Sequence, residues 1–382
     1  MNTVYIRRAA YDASLDPLVF DLLDQVAGKA IGQAETVLIK PNLLLPARPE
    51  RAVLTHPLVV RAAARYVLAK GAKVVIGDSP AVGPFGRIWR LGGYAKALEG
   101  LDVAVAPFEQ TVAVDVGRPF GKIQLARQAL AADAVINLAK LKTHAQMRLT
   151  LGVKNCFGCV VGLQKPQWHM RCGVDAERFA DLLVAIWQKV NPVATLIDGV
   201  LALEGDGPGL GGRPRPLGVV IAGANAAATD SAVCRIIGLD PGQLPTHRAA
   251  LRRGLTLDTP RIDGVVESVT GFALPAPDSL LMGPKAFHGI IRRHLLRRPQ
   301  AKPGQCRSCG QCWTYCPAGA VAQAGETVRF DTNRCIRCYC CVEVCPAGAL
   351  ETVTPPVARL MDLAKALFMG MRKGETKSAV TK

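Results

Sequence analysis

The sequence predicts an α/β protein: a mainly parallel sheet flanked by helices, followed by a small cysteine-rich α+β unit. Three observations carry this. Short β-branched runs alternate with amphipathic stretches from Thr3 to about Gly271. Gly and Pro clusters such as "PARPE", "GPFGR" and "GDGPGLGGRPRP" mark the breaks. Beyond Gln305, cysteines recur in two copies of one spacing.

The elements follow in order. "TVLIKPN", "AKVVIGDSP", "LDVAVAPF", "DAVINLAK", "VATLIDGV" and "LGVVIAGAN" read as buried strands. "DPLVFDLLDQVAGKA", "HPLVVRAAARYVLAKG", "DAERFADLLVAIWQKV" and "AAATDSAVCRIIG" have apolar residues at helical spacing. The chain is 382 residues long, enough for more than one domain. We expect an α/β ligand-binding domain over 1–284 and a basic helical linker over 285–304. A cysteine unit over 305–354 and an amphipathic helix with a basic tail over 355–382 complete the chain.

Charge narrows the partners. The formal net charge is +17, and 16 basic against 6 acidic residues from Lys285 onward contribute +10 of it. Such a surface favours anionic partners. No helix-turn-helix, RNP or zinc-finger pattern points to nucleic acid. The N-terminal stretch lacks an apolar export core, because Asp12 and Asp16 interrupt it. Apolar runs such as "PLGVVIAGANAAA" are too short to span a bilayer. The final stretch, "VARLMDLAKALFMGMRKG", has the pattern of a helix able to touch a membrane surface. A cytoplasmic location follows, where thirteen cysteines argue for metal ligation over disulfides.

"CRSCGQCWTYCP" and "CIRCYCCVEVCP" both spell C-x2-C-x2-C-x3-C-P, the signature of bacterial ferredoxins with two 4Fe-4S clusters. Three closely spaced thiolates hold one cluster, and the fourth Cys, set before proline, ligates the other. One cluster is expected on Cys306, Cys309, Cys312 and Cys345, the second on Cys335, Cys338, Cys341 and Cys316. A pair of zinc sites would not explain the repeated fourth Cys-Pro or the "PAGAV" and "PAGAL" that follow. Cys340 falls outside the pattern and reads as a small buried or surface thiol. A basic flank suits docking of an acidic electron-transfer protein, a flavodoxin or another ferredoxin.

In open α/β sheets, ligands gather beyond the carboxyl ends of the strands. This chain places polar residues there repeatedly: Lys40 and Asn42, Asp78 and Ser79, Lys140, Lys142 and His144, Asp198 and Glu204. Thr55 and His56, Lys154 and Asn155, and Lys165 and His169 come between strands. Together they suggest a cationic pocket for an anionic small molecule. Lys140 and Lys142 share one strand face. Lys142, His144 and His169 are the expected proton-transfer groups, with His144 titrating near neutrality. Lys40, Asn42, His56, Asp78, Lys140, Lys154, Asn155, Lys165, Asp198 and Glu204 are the expected binding groups. Cys156, Cys159, His169 and Cys172 have two readings: a third metal site, or buried apolar thiols. Cys234, on an apolar helical face, reads as core. "GPGLGG" is no nucleotide fingerprint, since no strand directly precedes it and "RPRP" cannot open a helix. It reads as a flexible lid beside Glu204 or as a plain loop.

As a set, "KPNLLLP", "THP", "GDSP", "KLKTH", "TLGVKNCFGCVVG" and "DGVLALEGDGPGLGG" resemble the domain-of-unknown-function family 362. Members are described as iron–sulfur centre proteins and frequently carry a C-terminal ferredoxin domain. The resemblance implies an α/β domain coupled to iron–sulfur clusters. The expected function is an oxidoreductase passing low-potential electrons through two 4Fe-4S clusters to an anionic substrate. The competing expectation is a ferredoxin-like carrier or cofactor-assembly factor without its own turnover.

Overall fold

The computed structural model describes residues 3–264, 268–275 and 295–359. Among them a nine-stranded sheet runs in the order Arg261–Asp263, Thr3–Arg8, Gly212–Gly223, Ala194–Gly205, Ala134–His144, Thr36–Lys40, Lys73–Ile76 and Val103–Val105. Arg148–Thr150 pairs with Ala134–His144 as the ninth strand. The strands from Ala194–Gly205 to Val103–Val105 pair in parallel, as the alternating pattern predicts. Gly212–Gly223 folds back antiparallel on Ala194–Gly205, because the short 206–211 connection permits a hairpin and not a crossover.

Helices cover both faces, and side-chain alternation sorts the core. Val37, Ile39, Ile136 and Leu138 pack under the helices Leu15–Gly32 and Pro57–Ala69. Leu38 and Val135 point the other way, under Ala176–Val190. Leu141, Ile197 and Ile221 pack under Ala226–Ile236. A sheet buried on both faces explains the nearly continuous apolar runs. The helix starts are legible too. Asp175 accepts a hydrogen bond from the Arg178 amide at 3.0 Å, and Asn225 accepts from the Ala228 amide at 3.0 Å.

Two sequence expectations need correction. "GRPRP" is strand, with Arg213 opposite Glu204, and not part of a free loop or lid. Pairing with Thr3–Arg8 begins only at Val219, so Pro214 and Pro216 have a strand neighbour on one side, where proline is tolerated. Arg298–Ala301, inside the stretch expected to be a helical linker, is a strand antiparallel to Leu350–Val353. That pairing ties the two ends of the cysteine unit together, so the unit starts near Arg298. The rest of the expected linker up to residue 294, and the C-terminal helix from residue 360, lie outside the described residues.

The cysteine unit is small. Besides the closing strand pair it has the hairpin Val321–Ala324 with Thr327–Phe330 and the short helices Gln311–Thr314 and Cys340–Glu343. It packs on the carboxyl edge of the sheet, where the 206–211 connection meets it backbone to backbone. A Cβ on Gly209 would sit 2.6 Å from the Glu343 carbonyl oxygen. A Cβ on Gly348 would sit 2.6 Å from the Leu210 carbonyl oxygen. Val344 of the cysteine unit joins the core cluster of the sheet. The glycines of "GPGLGG" therefore serve close approach between two chain units.

This predicts that Gly209→Ala lowers the thermal midpoint of the holoprotein, since backbone must shift to admit one methyl. A cost of about 1–3 kcal/mol is expected. Gly86→Ala, in a helix where an added Cβ meets nothing within 4 Å, is the control and should hold or slightly raise the midpoint. Thermal unfolding of both variants checks this.

Candidate iron–sulfur centres and an adjoining cationic pocket

One of the two thiol sets expected from the spacing shares a cavity in the structure. Cys306, Cys309, Cys312 and Cys345 line one cavity together with Trp313, Val328 and Leu350. Burial, then the neighbouring thiols Cys345, Cys306 and Cys309, push the Cys312 thiol up to about 11. The Cys341 thiol is raised well above its ordinary value by burial and then by Cys338, Cys335, Cys316 and Cys312. Each fourth cysteine accepts a bond from the backbone amide four residues on: Ala320 to Cys316 Sγ at 3.2 Å, Ala349 to Cys345 Sγ at 3.3 Å. The "PAGA" repeat thus supplies equivalent amide donors to the two sulfurs. Among the described residues, no three His, Cys, Asp or Glu side chains are grouped as a single metal ion needs. The Cys306 set instead surrounds a volume, as a multi-iron cluster requires. Thiols, cavity and amide donors fit two 4Fe-4S clusters.

Beside this unit lies a larger pocket of about 720 Å³ including its mouth. The sheet edge supplies Asn42, Asp78 and Lys142, and the segment after the Arg148–Thr150 strand supplies Lys154 and Asn155. The helix Gln164–Cys172 adds Lys165 and His169. The cysteine unit closes the pocket with Tyr315, Cys340, Glu343 and Val344.

The buried charges are individually answered. Lys40 Nζ lies 2.9 Å from Asp78 Oδ1, with both side chains nearly sealed from solvent. Asp78 also accepts from the Leu43 amide at 2.8 Å and the Ser79 amide at 2.9 Å. Gly158 caps this ion pair, because any Cβ there would collide with Asp78 and Lys40. Lys142 Nζ donates to Asn42 Oδ1 and to the Val53 carbonyl, both at 2.8 Å. Burial pushes Lys142 down to about 7, with Glu343 opposing. Lys165 donates to the Ser79 carbonyl at 2.6 Å and is pushed down to about 8 by burial. Among the described residues, Lys154 Nζ has no hydrogen-bond partner. Burial lowers its pKa, and Glu343 acts in the opposite direction.

Several expected site residues lie elsewhere. Lys140 is not in the pocket. Its Nζ sits 2.8 Å from Asp198 Oδ2 and 3.0 Å from the Tyr11 hydroxyl. Asp198 also accepts from Tyr11 at 2.7 Å and from the His56 amide at 2.8 Å, and the Tyr11 and His56 rings stack at 3.6 Å. This second cluster pins the N-terminal segment to the sheet. A register shift between Lys140 and Lys142 separates the two lysines. Glu204 is remote too, accepting from the Ala273 amide at 3.0 Å.

His144 lies beside the pocket rather than in its lining. Its Nδ1 accepts from the Gln146 and Met147 amides, both at 3.1 Å, which places the ring proton on Nε2, 3.8 Å from Glu343 Oε2. Burial, then Lys154, hold its pKa well below the usual histidine range. Burial likewise pushes His169, packed against Phe157 and Phe179, down to about 3. The expectation that His144 titrates near neutrality is therefore corrected: desolvation keeps both imidazoles neutral. Lys142 is the pocket group poised near pH 7.

Cys156 and Cys159 sit in the apolar cluster with Phe157 and Phe179, and Cys156 Sγ approaches the Gly152 carbonyl at 3.7 Å. Cys234 lies in the core as expected. Tyr11, Tyr315, Cys340 and Glu343 were missed as site residues. The odd ninth cysteine of the tail was the one available signal, since Cys340 faces the pocket.

Known proteins match as follows. The family model described as Domain of unknown function (DUF362) matches residues 37–235, and a 4Fe-4S dicluster domain matches residues 298–346. A thylakoid-associated protein of Synechocystis sp. is 40% identical over 253 residues, 65% of this chain and 78% of that protein. The lactate racemase apoprotein from Thermoanaerobacterium thermosaccharolyticum aligns at 12% identity and a TM-score of 0.39, over 61% of this chain and 57% of that one. A protein from Thermotoga maritima aligns at 13% and 0.33, over 54% and 53%. This chain thus spans less than two thirds of either solved structure, and likenesses at that level carry no argument. The dicluster match supports an iron–sulfur electron-transfer role. Among the described residues no helix is long and apolar enough to cross a membrane.

Anaerobically purified protein should hold about eight irons and eight labile sulfides per chain. Cys345→Ala should damage the cluster held by Cys306, Cys309 and Cys312. Iron analysis and electron paramagnetic resonance of the reduced protein check both, and stoichiometric zinc would contradict the assignment.

Proposed function

Taking as premise that the chain belongs to the DUF362 family and carries a 4Fe-4S dicluster domain, we propose that it is an oxidoreductase acting on an anionic small molecule held between the two units. One observation carries this reading. The cationic pocket at the carboxyl edge of the sheet has the cluster-binding unit as its closing wall, and Cys340 of that wall is next in sequence to the cluster ligand Cys341. Cys306, Cys309, Cys312 and Cys345 would hold one cluster, and Cys335, Cys338, Cys341 and Cys316 the other. Bound clusters supply electrons one at a time, typically at low potential.

The chain's own residues do the rest. Lys142, Lys154 and Lys165 answer the ligand's negative charge. Asp78 is spent on Lys40, so Glu343 is the carboxylate left to oppose them. Asn42 and Asn155 hold their neighbours in place, while Phe157, Leu43 and Val344 exclude water. The neutral His169 faces the ligand without adding charge. Lys142, able to exist with or without its proton at neutral pH, is the group that would deliver or accept one. Cys309 is exposed, and the basic flank around it suits an acidic donor such as a flavodoxin or another ferredoxin. The reducing cytoplasm suits this assignment.

The pH dependence has a definite sign. An anion favours protonated Lys142, so binding raises a pKa that starts near 7. Below that value the lysine is charged in both states and affinity is flat. Above it, binding must take up a proton, and affinity weakens by up to about tenfold per pH unit. Lys165 adds a second fall from about 8. Calorimetry with oxalate from pH 6 to 9 tests this. Lys142→Met should remove the first fall while keeping iron content and cluster spectrum. Oxalate affinity independent of pH in the unaltered protein would refute the reading.

A further inference from the structure

Resting on that reading of the pocket as an anion site, we propose that Lys142 is a nucleophile. It forms a reversible imine with the bound molecule, whose class is then a small aldehyde or keto acid bearing a carboxylate or phosphate.

The geometry of its amine carries the argument. Lys142 Nζ has two acceptors, the Val53 carbonyl and Asn42 Oδ1, each at 2.8 Å. The carbonyl can only accept. The Asn42 amide is fixed just as firmly, through a chain of asparagines. Asn42 Nδ2 donates to Asn155 Oδ1 at 2.9 Å, and Asn155 Nδ2 donates to Asn137 Oδ1 at 2.8 Å. Asn137 Nδ2 donates to the Gly152 carbonyl at 2.9 Å. Because the chain ends on a carbonyl, every amide in it has one orientation, and Asn42 presents oxygen to Lys142. A neutral amine has two N–H groups and one lone pair. Both N–H groups are committed, so the lone pair points away from both acceptors. The described residues offer it no third hydrogen-bond partner, and Lys142 lines the cavity.

The other pocket lysines lack this arrangement. Lys165 is half-buried and tied to the Ser79 carbonyl. Among the described residues, Lys154 has no hydrogen-bond partner to orient its amine. They remain as the charges that hold the ligand's anionic group. The groups facing Lys142 are Lys140 of its own strand, Lys154, Asp78 and Glu343, with neutral His144 nearby. Burial and the two cations favour the unprotonated amine, against the two carboxylates.

The step balances without a further reagent. The lone pair adds to the carbonyl carbon, a C–N bond forms, and one amine proton passes to the oxygen. The resulting hydroxyl leaves with the second amine proton as water, and C=N remains. No atom is oxidised or reduced. A protonated imine accepts electrons more readily than the parent carbonyl, so covalent capture divides one hard step into two easier ones.

Glyoxylate with cyanoborohydride, applied to anaerobically purified holoprotein, is the test, read by peptide mass mapping. Lys142 should be labelled in a saturable way. Its rate should exceed that of exposed Lys29 and Lys96, whose amines have no cavity around them. Oxalate should suppress labelling at Lys142 alone, and uncharged acetaldehyde should label it poorly. Lys142→Arg should abolish the adduct with iron content retained. Asn42→Leu, which removes one fixed acceptor, should slow it by about tenfold while oxalate still binds. Oxalate binding without glyoxylate labelling of Lys142 would overturn the nucleophile and leave the pocket standing. Labelling confined to Lys154 or Lys165 would also overturn it. Failure of both oxalate binding and labelling would overturn pocket and nucleophile together.

Discussion

The carboxyl edge of this sheet carries more buried lysine than an apolar interior tolerates, and the structure depends on how each is satisfied. A buried ammonium without a partner costs several kcal/mol or loses its proton. The lysines answer in different ways. Lys40 takes Asp78, and Lys140 takes Asp198 with Tyr11. Lys142 takes two neutral oxygens, which orient its amine without fixing its charge. Among the described residues Lys154 takes no hydrogen bond, and burial lowers its pKa. The four lysines thus run from fully paired to unpaired among the described residues.

Burial at this edge exists because a second unit covers it. Without Tyr315, Cys340, Glu343 and Val344, the pocket would be an open strand edge wetted by water. Glycines at 207–211 let the backbones of the two units meet closely, so the cysteine unit can wall the pocket and present its own carboxylate there. The wall that shapes the ligand site also carries the cluster ligands.

The sheet, its flanking helices and the dicluster cysteine motif were legible in the sequence. Each is a local pattern: short apolar β-branched runs, spacing by 3.6, or a fixed interval between thiols. The pocket was half legible. Strand-end position marked Lys142, Asn42 and Asp78, because parallel strands all end on one side. The same logic overreached at Lys140, His56, Asp198 and Glu204, where a register shift and the antiparallel return carry polar residues to other partners.

The sequence by itself determined what depends on neighbours along the chain: the α/β alternation and the repeated thiol spacing of a dicluster domain. Tertiary structure decided what depends on neighbours across space. It made His144 and His169 neutral by burial, brought Lys142 near neutrality, and turned a glycine-rich stretch from an apparent lid into a seam. The physical reason is desolvation: the charge state of a buried group is set by what covers it, and the cover here comes from about two hundred residues further along the chain.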